Sequence, residues 1–183
     1  MVRLKALTFA GISALALLAC VSRNVNAPSA APSAAPATLT PYFSPHGACR
    51  AELEVQIDSA RRSLDIAIYD FTVREIATHL LSAMRRGVRV RLLMDSIEST
   101  SSYSQWYYLH SQFVNVRRNT RQHMSGIMHD KYLIRDTCTV ITGSYNWSGA
   151  AESSNAENEL VINSHALALQ YESDFDAEWQ IGR

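Results

Sequence analysis

Lysine is almost missing from this chain of 183 residues: it stands only at Lys5 and Lys131, whereas arginine is used fifteen times. If Lys5 belongs to a removed leader, Lys131 is the only amine side chain of the mature protein. A surplus of either charge is lacking too. The formal net charge is +0, which excludes a strong global field for nucleic acid or acidic lipid and leaves any basic surface local. Proline is confined to Pro28 through Pro45. Cysteine is limited to Cys20, Cys49 and Cys138. If Cys20 carries lipid, Cys49 and Cys138 either pair in an oxidising compartment or remain free thiols, and spacing does not choose between these. The one long apolar run, Ala6 to Ala19, is too short for a membrane span.

What that run does resemble is an export signal, with Arg3 and Lys5 before it and Cys20 after it. "LLAC", Leu17 to Cys20, is similar to a bacterial lipobox, in which the cysteine is lipidated; an ordinary signal peptide cleaved nearby is the alternative. Residues 1–20 are therefore read as a signal peptide of lipoprotein type with lipidation at Cys20. The protein is expected to be exported: periplasmic or membrane-anchored through that lipid, or else secreted. Residues 21–40 form a Pro/Ala/Ser-rich tether, which holds too little apolar surface to fold. With 47% hydrophobic and 19% charged residues, the remainder, 41–183, is one globular domain.

Within it, helical and strand-like periodicity alternate. Ala48 to Arg62 predicts a helix and Ser63 to Phe71 a strand. A second helix places Ile76, Ala77, Leu80, Leu81 and Met84 on one face, with Thr72 as N-cap and Gly87 as stop, and Val88 to Asp95 is the next strand. That order favours a parallel pair with a crossover helix. Ser96 to His110 is helical or irregular and Phe113 to Asn119 is a short strand. "GIMHDKYLIRD" and "CTVITGS" form an antiparallel hairpin turning at Asp136 and Thr137. Asn158 to Ser164 adds a strand, and in the last helix Leu167, Tyr171, Phe175 and Trp179 recur every four residues as core. The fold class is α/β, a mixed β-sheet flanked by helices.

On a strand, residues two apart share a side. His129 and Lys131 therefore set an imidazole beside an ammonium, a pair that favours an anion. Ser144 and Asn146 follow, again two apart, after a Gly143 that permits a bend, and Glu157 comes later. The string His-x-Lys-(x4)-Asp, Gly-Ser-(aromatic)-Asn, Glu closely resembles the HKD motif of the phospholipase D superfamily. It is most similar to the small single-motif bacterial endonucleases. "YFSPHG", "IAIYDFT", "GVRVRLLMD" and "AAESSNAENELVIN" extend the likeness from about Pro41 to the C-terminus.

The resemblance implies a phospholipase D-like α/β/α sandwich with no cofactor. In it His129 is nucleophile or general acid, Lys131 and Asn146 bind phosphate oxygens, Ser144 adds a hydrogen bond, Glu157 orients the imidazole, and Asp136 supports the loop. It implies a metal-independent phosphodiesterase cleaving DNA or RNA through a phosphohistidine. Because the chain holds one HKD string, it also implies a homodimer with a composite site. A phospholipase D acting on membrane lipids is the alternative. His123, His129 and Cys138 do not make a recognised metal-ligand spacing. The other histidines, His46, His79, His110, His123 and His165, are read as structural or solvated, although His123 lies on a loop that could approach the site. Arg117, Arg118 and Arg121, with Arg85, Arg86, Arg89 and Arg91, are either a solvated face or a path for a nucleic-acid backbone. "YSQWYY", Tyr103 to Tyr108, either stacks bases or packs a helix.

Overall fold

The computed structural model describes residues 36–45, 48–112, 114–121 and 125–183. The leader with Cys20, most of the tether, His46 and His123 lie outside the described residues. Seven strands make one sheet: β1 (Thr38–Ser44), β2 (Ser63–Ile68), β3 (Arg89–Asp95), β4 (Asn115–Asn119), β5 (Lys131–Arg135), β6 (Thr139–Gly143) and β7 (Glu157–Asn163), in spatial order β1-β7-β6-β5-β2-β3-β4. The helices are α1 (Cys49–Ser59), α2 (Arg74–Arg85), α3 (Trp106–Ser111), α4 (Gly149–Ser153) and α5 (His165–Ile181), with a 3-10 turn at Glu98–Thr100. β2, β3 and β4 are parallel, and every other pairing is antiparallel. The sheet is therefore mixed and flanked by helices on both faces, in keeping with the expected class.

The pleat sorts side chains between two cores. Leu64, Ile66 and Leu133 join Leu53, Ile57, Ile76 and Leu80 of α1 and α2 on one face. Ala67, Tyr132 and Ile134 meet Phe175 and Trp179 of α5 on the other. β2 is buried along its whole length, as expected of a central strand covered on both sides. α2 ends where Gly87, at φ +90, lets its own N–H reach Met84 O at 2.9 Å and the Val88 N–H reach Ala83 O at 3.1 Å. That is the left-handed C-terminal closure for which glycine is suited.

Three expectations are corrected, and the open question of the two cysteines is answered. Helix α2 is not capped by Thr72. Val73 holds the N-cap position with no side-chain cap, and the N–H groups of Thr72 and Val73 instead donate to Trp147 O at 2.9 and 3.1 Å. The sheet begins at Thr38, inside the segment assigned to the tether, because the β1 backbone pairs with β7 over seven residues from Thr38 to Ser44. Pro41 is tolerated there since β1 is an edge strand. Cys49 and Cys138 are free thiols, one buried at the head of α1 and the other exposed beyond the β5 end. Gly143 is needed for close approach rather than for a bend, since a Cβ there would sit 2.1 Å from Asn158 O.

Candidate active site

β5 lies between β2 and β6, so its first residue emerges at the sheet's centre. His129 itself precedes the strand, which starts at Lys131. The two groups nevertheless meet: Lys131 Nζ donates to the His129 carbonyl at 2.7 Å and lies 3.2 Å from its Nδ1. Lys131 is buried to 9% exposure. Burial lowers its pKa, and the charges of Asp130, Glu157 and Asp70 partly oppose that shift.

The loop after β6 is brought alongside by backbone hydrogen bonds. Trp147 N donates to Asp70 O at 3.0 Å and Ser144 N to Asn158 O at 3.0 Å. Ser144 Oγ donates to Glu157 Oε2 at 2.5 Å and accepts from Asn158 N at 3.1 Å. Asn155 Nδ2 donates to the other Glu157 oxygen at 3.1 Å. Asn146 Oδ1 is buried with no hydrogen-bond partner among the described residues. The structure thus gathers His129, Lys131, Ser144, Asn146 and Glu157 at one end of β5, β6 and β7. Glu157, however, engages Ser144, and among the described residues no carboxylate lies within 4.0 Å of the His129 ring.

Asp136 stands at the opposite end of β5, in a turn where Asp136 and Thr137 both adopt left-handed φ, 54 and 57. Its carboxylate accepts the N–H groups of Arg61, Arg62 and Ser63 at 3.0, 2.6 and 2.9 Å. Burial alone would raise its pKa, but those three bonds hold it below the usual carboxylate range.

Sequence reasoning missed Tyr69. Its ring lies 4.5 Å from the His129 ring and 5.0 Å from Lys131 Nζ, and its hydroxyl donates to Glu98 Oε1 at 3.1 Å. Asp95 was missed as well. It is buried and accepts the N–H groups of Ile97, Glu98 and Met128 at 2.8, 3.1 and 3.2 Å, which ties the residue before His129 to the 3-10 turn. Both residues end strands whose apolar pattern hides them; only the polar residue closing each apolar run could have marked them.

The arginines do not form one path. Arg117 donates to Trp179 O at 2.9 Å and lies over the Trp179 ring, while Arg121 pairs with Glu178, so both fasten α5. Arg118 bonds Ser99 Oγ at 3.0 Å instead. Arg89 and Arg91 are bound to the buried Asp65, at 3.1 and 2.7 Å. The neutralisation of that buried carboxylate explains their placement.

A groove of about 380 Å³ opens beside His129 toward α5, walled by Asp130, Tyr132, Thr142, Gln170, Tyr171 and Asp174. No aliphatic side chain lines it.

Residues 53–179 match the family described as cardiolipin synthase, PLD-like domain. The chain is 35% identical over 129 residues to the phospholipase D of Rickettsia conorii, a match covering 70% of this chain and 63% of that protein. It is 33% identical over 152 residues to the mitochondrial cardiolipin hydrolase of Xenopus laevis, covering 78% and 71%. In structure it resembles Nuc from Salmonella typhimurium, a phospholipase D family member, at TM-score 0.75 and 33% identity, covering 81% of this chain and 97% of that one. The matched part thus spans under two thirds of the Rickettsia protein but nearly all of the Salmonella one. Taken with His129, Lys131, Ser144, Asn146 and Glu157 gathered at one sheet end, these matches establish that the chain belongs to the family of cardiolipin synthase, PLD-like domains.

Proposed function

We propose that this protein is a phosphodiesterase, a sequence-nonspecific nuclease that works through a phosphohistidine in a site shared by two copies of the chain. The observation that carries this reading is the contact of His129 with Lys131 beside the Ser144 to Asn146 loop. Hydrolysis of a phosphodiester needs a nucleophile, an acid for the leaving oxygen and positive charge for the transition state. Nδ1 of His129 faces Lys131 at 3.2 Å, so Nε2 is the nitrogen that meets phosphorus. Lys131 Nζ and the Nδ2 amino group of Asn146 donate to the non-bridging oxygens.

For Nε2 to attack, the ring proton must sit on Nδ1, which then gives up the contact with the Lys131 ammonium and donates to a carboxylate. Glu157 of the same chain is turned to Ser144. We assign the role to Glu157 of the second copy, whose histidine also protonates the leaving oxygen. Water then cleaves the phosphohistidine and frees the imidazole. Every group in this scheme is a side chain, so we propose that no metal ion takes part.

A phospholipase reading is favoured by one observation, the likeness to the Rickettsia phospholipase D and the Xenopus cardiolipin hydrolase. The groove at His129 favours the nuclease, since no aliphatic side chain lines it and its apolar wall is limited to the rings of Tyr132 and Tyr171. The test incubates purified protein in excess EDTA with plasmid DNA, single-stranded RNA and phosphatidylcholine vesicles in parallel. Cleavage of nucleic acid is expected; phosphatidic acid from the vesicles with intact DNA and RNA would transfer the assignment to the lipase. Activity restored only by a divalent ion would remove the metal-free scheme. We further propose that the chain is exported and anchored through lipid on Cys20, which palmitate labelling lost in Cys20→Ser would support.

A further inference from the structure

The aromatic run Tyr103 to Tyr108 is divided by the fold. Trp106 and Tyr108 are half-buried and pack on the core beneath α3. Tyr103 and Tyr107 are 78% and 54% exposed, and Ile97 beside them is 53% exposed. Packing accounts for the first pair and leaves the second without a structural role.

Positive charge lies beside Tyr107 and its neighbours on α3. The Arg118 guanidinium is 3.7 Å from the Trp106 ring centre and 5.3 Å from that of Tyr107, and Arg74 covers Tyr108 at 3.6 Å. Among the described residues neither arginine has a carboxylate within 4.0 Å. A groove of about 870 Å³ has Tyr103 and Arg74 in its lining. It starts at Asp70 and Ser148, which adjoin Tyr69 and the Asn146 loop, and passes Ser101 and Ser102 to reach Tyr103 and Arg74. Its carboxylates are engaged: Glu75 faces Arg50 at 3.9 Å and Glu98 takes the Tyr69 hydroxyl. Burial raises the Asp70 pKa. The smaller groove at His129 carries Asp130 and Asp174 on its wall and no arginine, whereas Arg50 and Arg74 line the larger one.

We propose that Tyr103 and Tyr107 form a base-stacking platform for single-stranded nucleic acid, with Tyr103 on the wall of the groove that reaches Asp70, the residue after Tyr69. This deepens the nuclease reading and rests on it. Every unpaired base offers a π face, and stacking on an aromatic side chain is sequence-tolerant. A duplex keeps those faces inside, so the platform selects single strands. Arg74 and Arg118 meet the phosphates, and the serine-rich loop offers hydroxyls to the backbone.

The experiment compares full-length wild-type protein with Tyr103→Ala/Tyr107→Ala and Tyr103→Phe/Tyr107→Phe by fluorescence anisotropy. The probes are labelled oligo(dT), a labelled duplex of equal length, and phosphatidylglycerol vesicles, all at one salt concentration. Thermal melting verifies that the variants fold. The alanine pair should weaken oligo(dT) binding roughly fivefold to a hundredfold and abolish the preference over duplex, whereas the phenylalanine pair keeps the π faces and stays within about twofold. Equal oligo(dT) affinity in wild-type and alanine proteins overturns the platform while leaving the nuclease reading intact. Loss of vesicle binding with oligo(dT) binding unchanged overturns it in favour of a membrane surface. A wild-type protein that binds neither oligo(dT) nor duplex overturns both the platform and the nuclease reading.

Discussion

Lys131 shows how narrow a position a single residue can occupy. Its amine is fixed at 2.7 Å by the His129 carbonyl, and the cavity behind its stem holds only about 10 Å³. A guanidinium is larger and planar, and presents its charge through a fork rather than at a point. Lys131→Arg should therefore lower kcat by about a hundredfold or more, the scale of losing one oriented charge donor. Its melting temperature should stay near that of wild type; a near-normal rate in the folded variant would show that charge alone suffices there. Glu159 lies on β7 within the same small cavity's lining, 3% exposed, with Oε2 lacking a partner. Burial first, then the charges of Glu52 and Glu152, push its pKa up to about 8 from an ordinary 4.5. The folded state therefore keeps a proton that the unfolded chain releases. Its contribution is full below pH 4.5 and declines as pH rises to about 8, where it levels. Glu159→Gln should remove that decline and gain on the order of a few kcal/mol at pH 8.5 relative to pH 4.5. Urea unfolding at the two pH values checks this, and parallel behaviour of both proteins would place the titration elsewhere.

At the scale of elements, the β5–β6 hairpin was legible because its turn chemistry is local. Asp136 and Thr137 interrupt two apolar runs, and a two-residue turn with both residues left-handed matches the twist of its strands. What the local pattern did not contain is the use of Asp136 across 73 to 75 residues of chain, to bind three N–H groups at the start of β2. Asp136→Ala should cost about 2–4 kcal/mol, from the loss of charge-assisted bonds and the strain of alanine at that φ. Far-ultraviolet circular dichroism in urea measures this. A change under about 0.5 kcal/mol would mean that water replaces the carboxylate fully. Strand β1 was not legible. Most of its side chains are exposed, so it lacks the alternation that marks a half-buried strand, and only the β7 backbone makes it one.

At the scale of the whole molecule, the proposed reaction calls on a second copy of the chain: Glu157 engages Ser144 rather than His129, and the proposed acid is a second imidazole. If His129→Ala and wild-type chains are co-expressed and pair at random, only wild-type pairs keep both histidines. Activity should follow the square of the wild-type fraction, about one quarter at equal amounts. A fall to about one half would mean that each chain works alone, and an acid within the same chain must then be sought.

The sequence by itself singled out the residues that the structure brings together and the order of the helices and strands from α1 to β4 and of the β5–β6 hairpin. Both are written in short spacings: His129 to Lys131, Ser144 to Asn146, and apolar periods of two and of three to four. It could not determine what the arginines do, since Arg89, Arg91, Arg117 and Arg121 reach partners 24 to 85 residues away in sequence. Nor could it divide Tyr103 and Tyr107 from Trp106 and Tyr108. Those assignments follow from which face each element buries, and that is settled only when the sheet has paired and its two sides are covered.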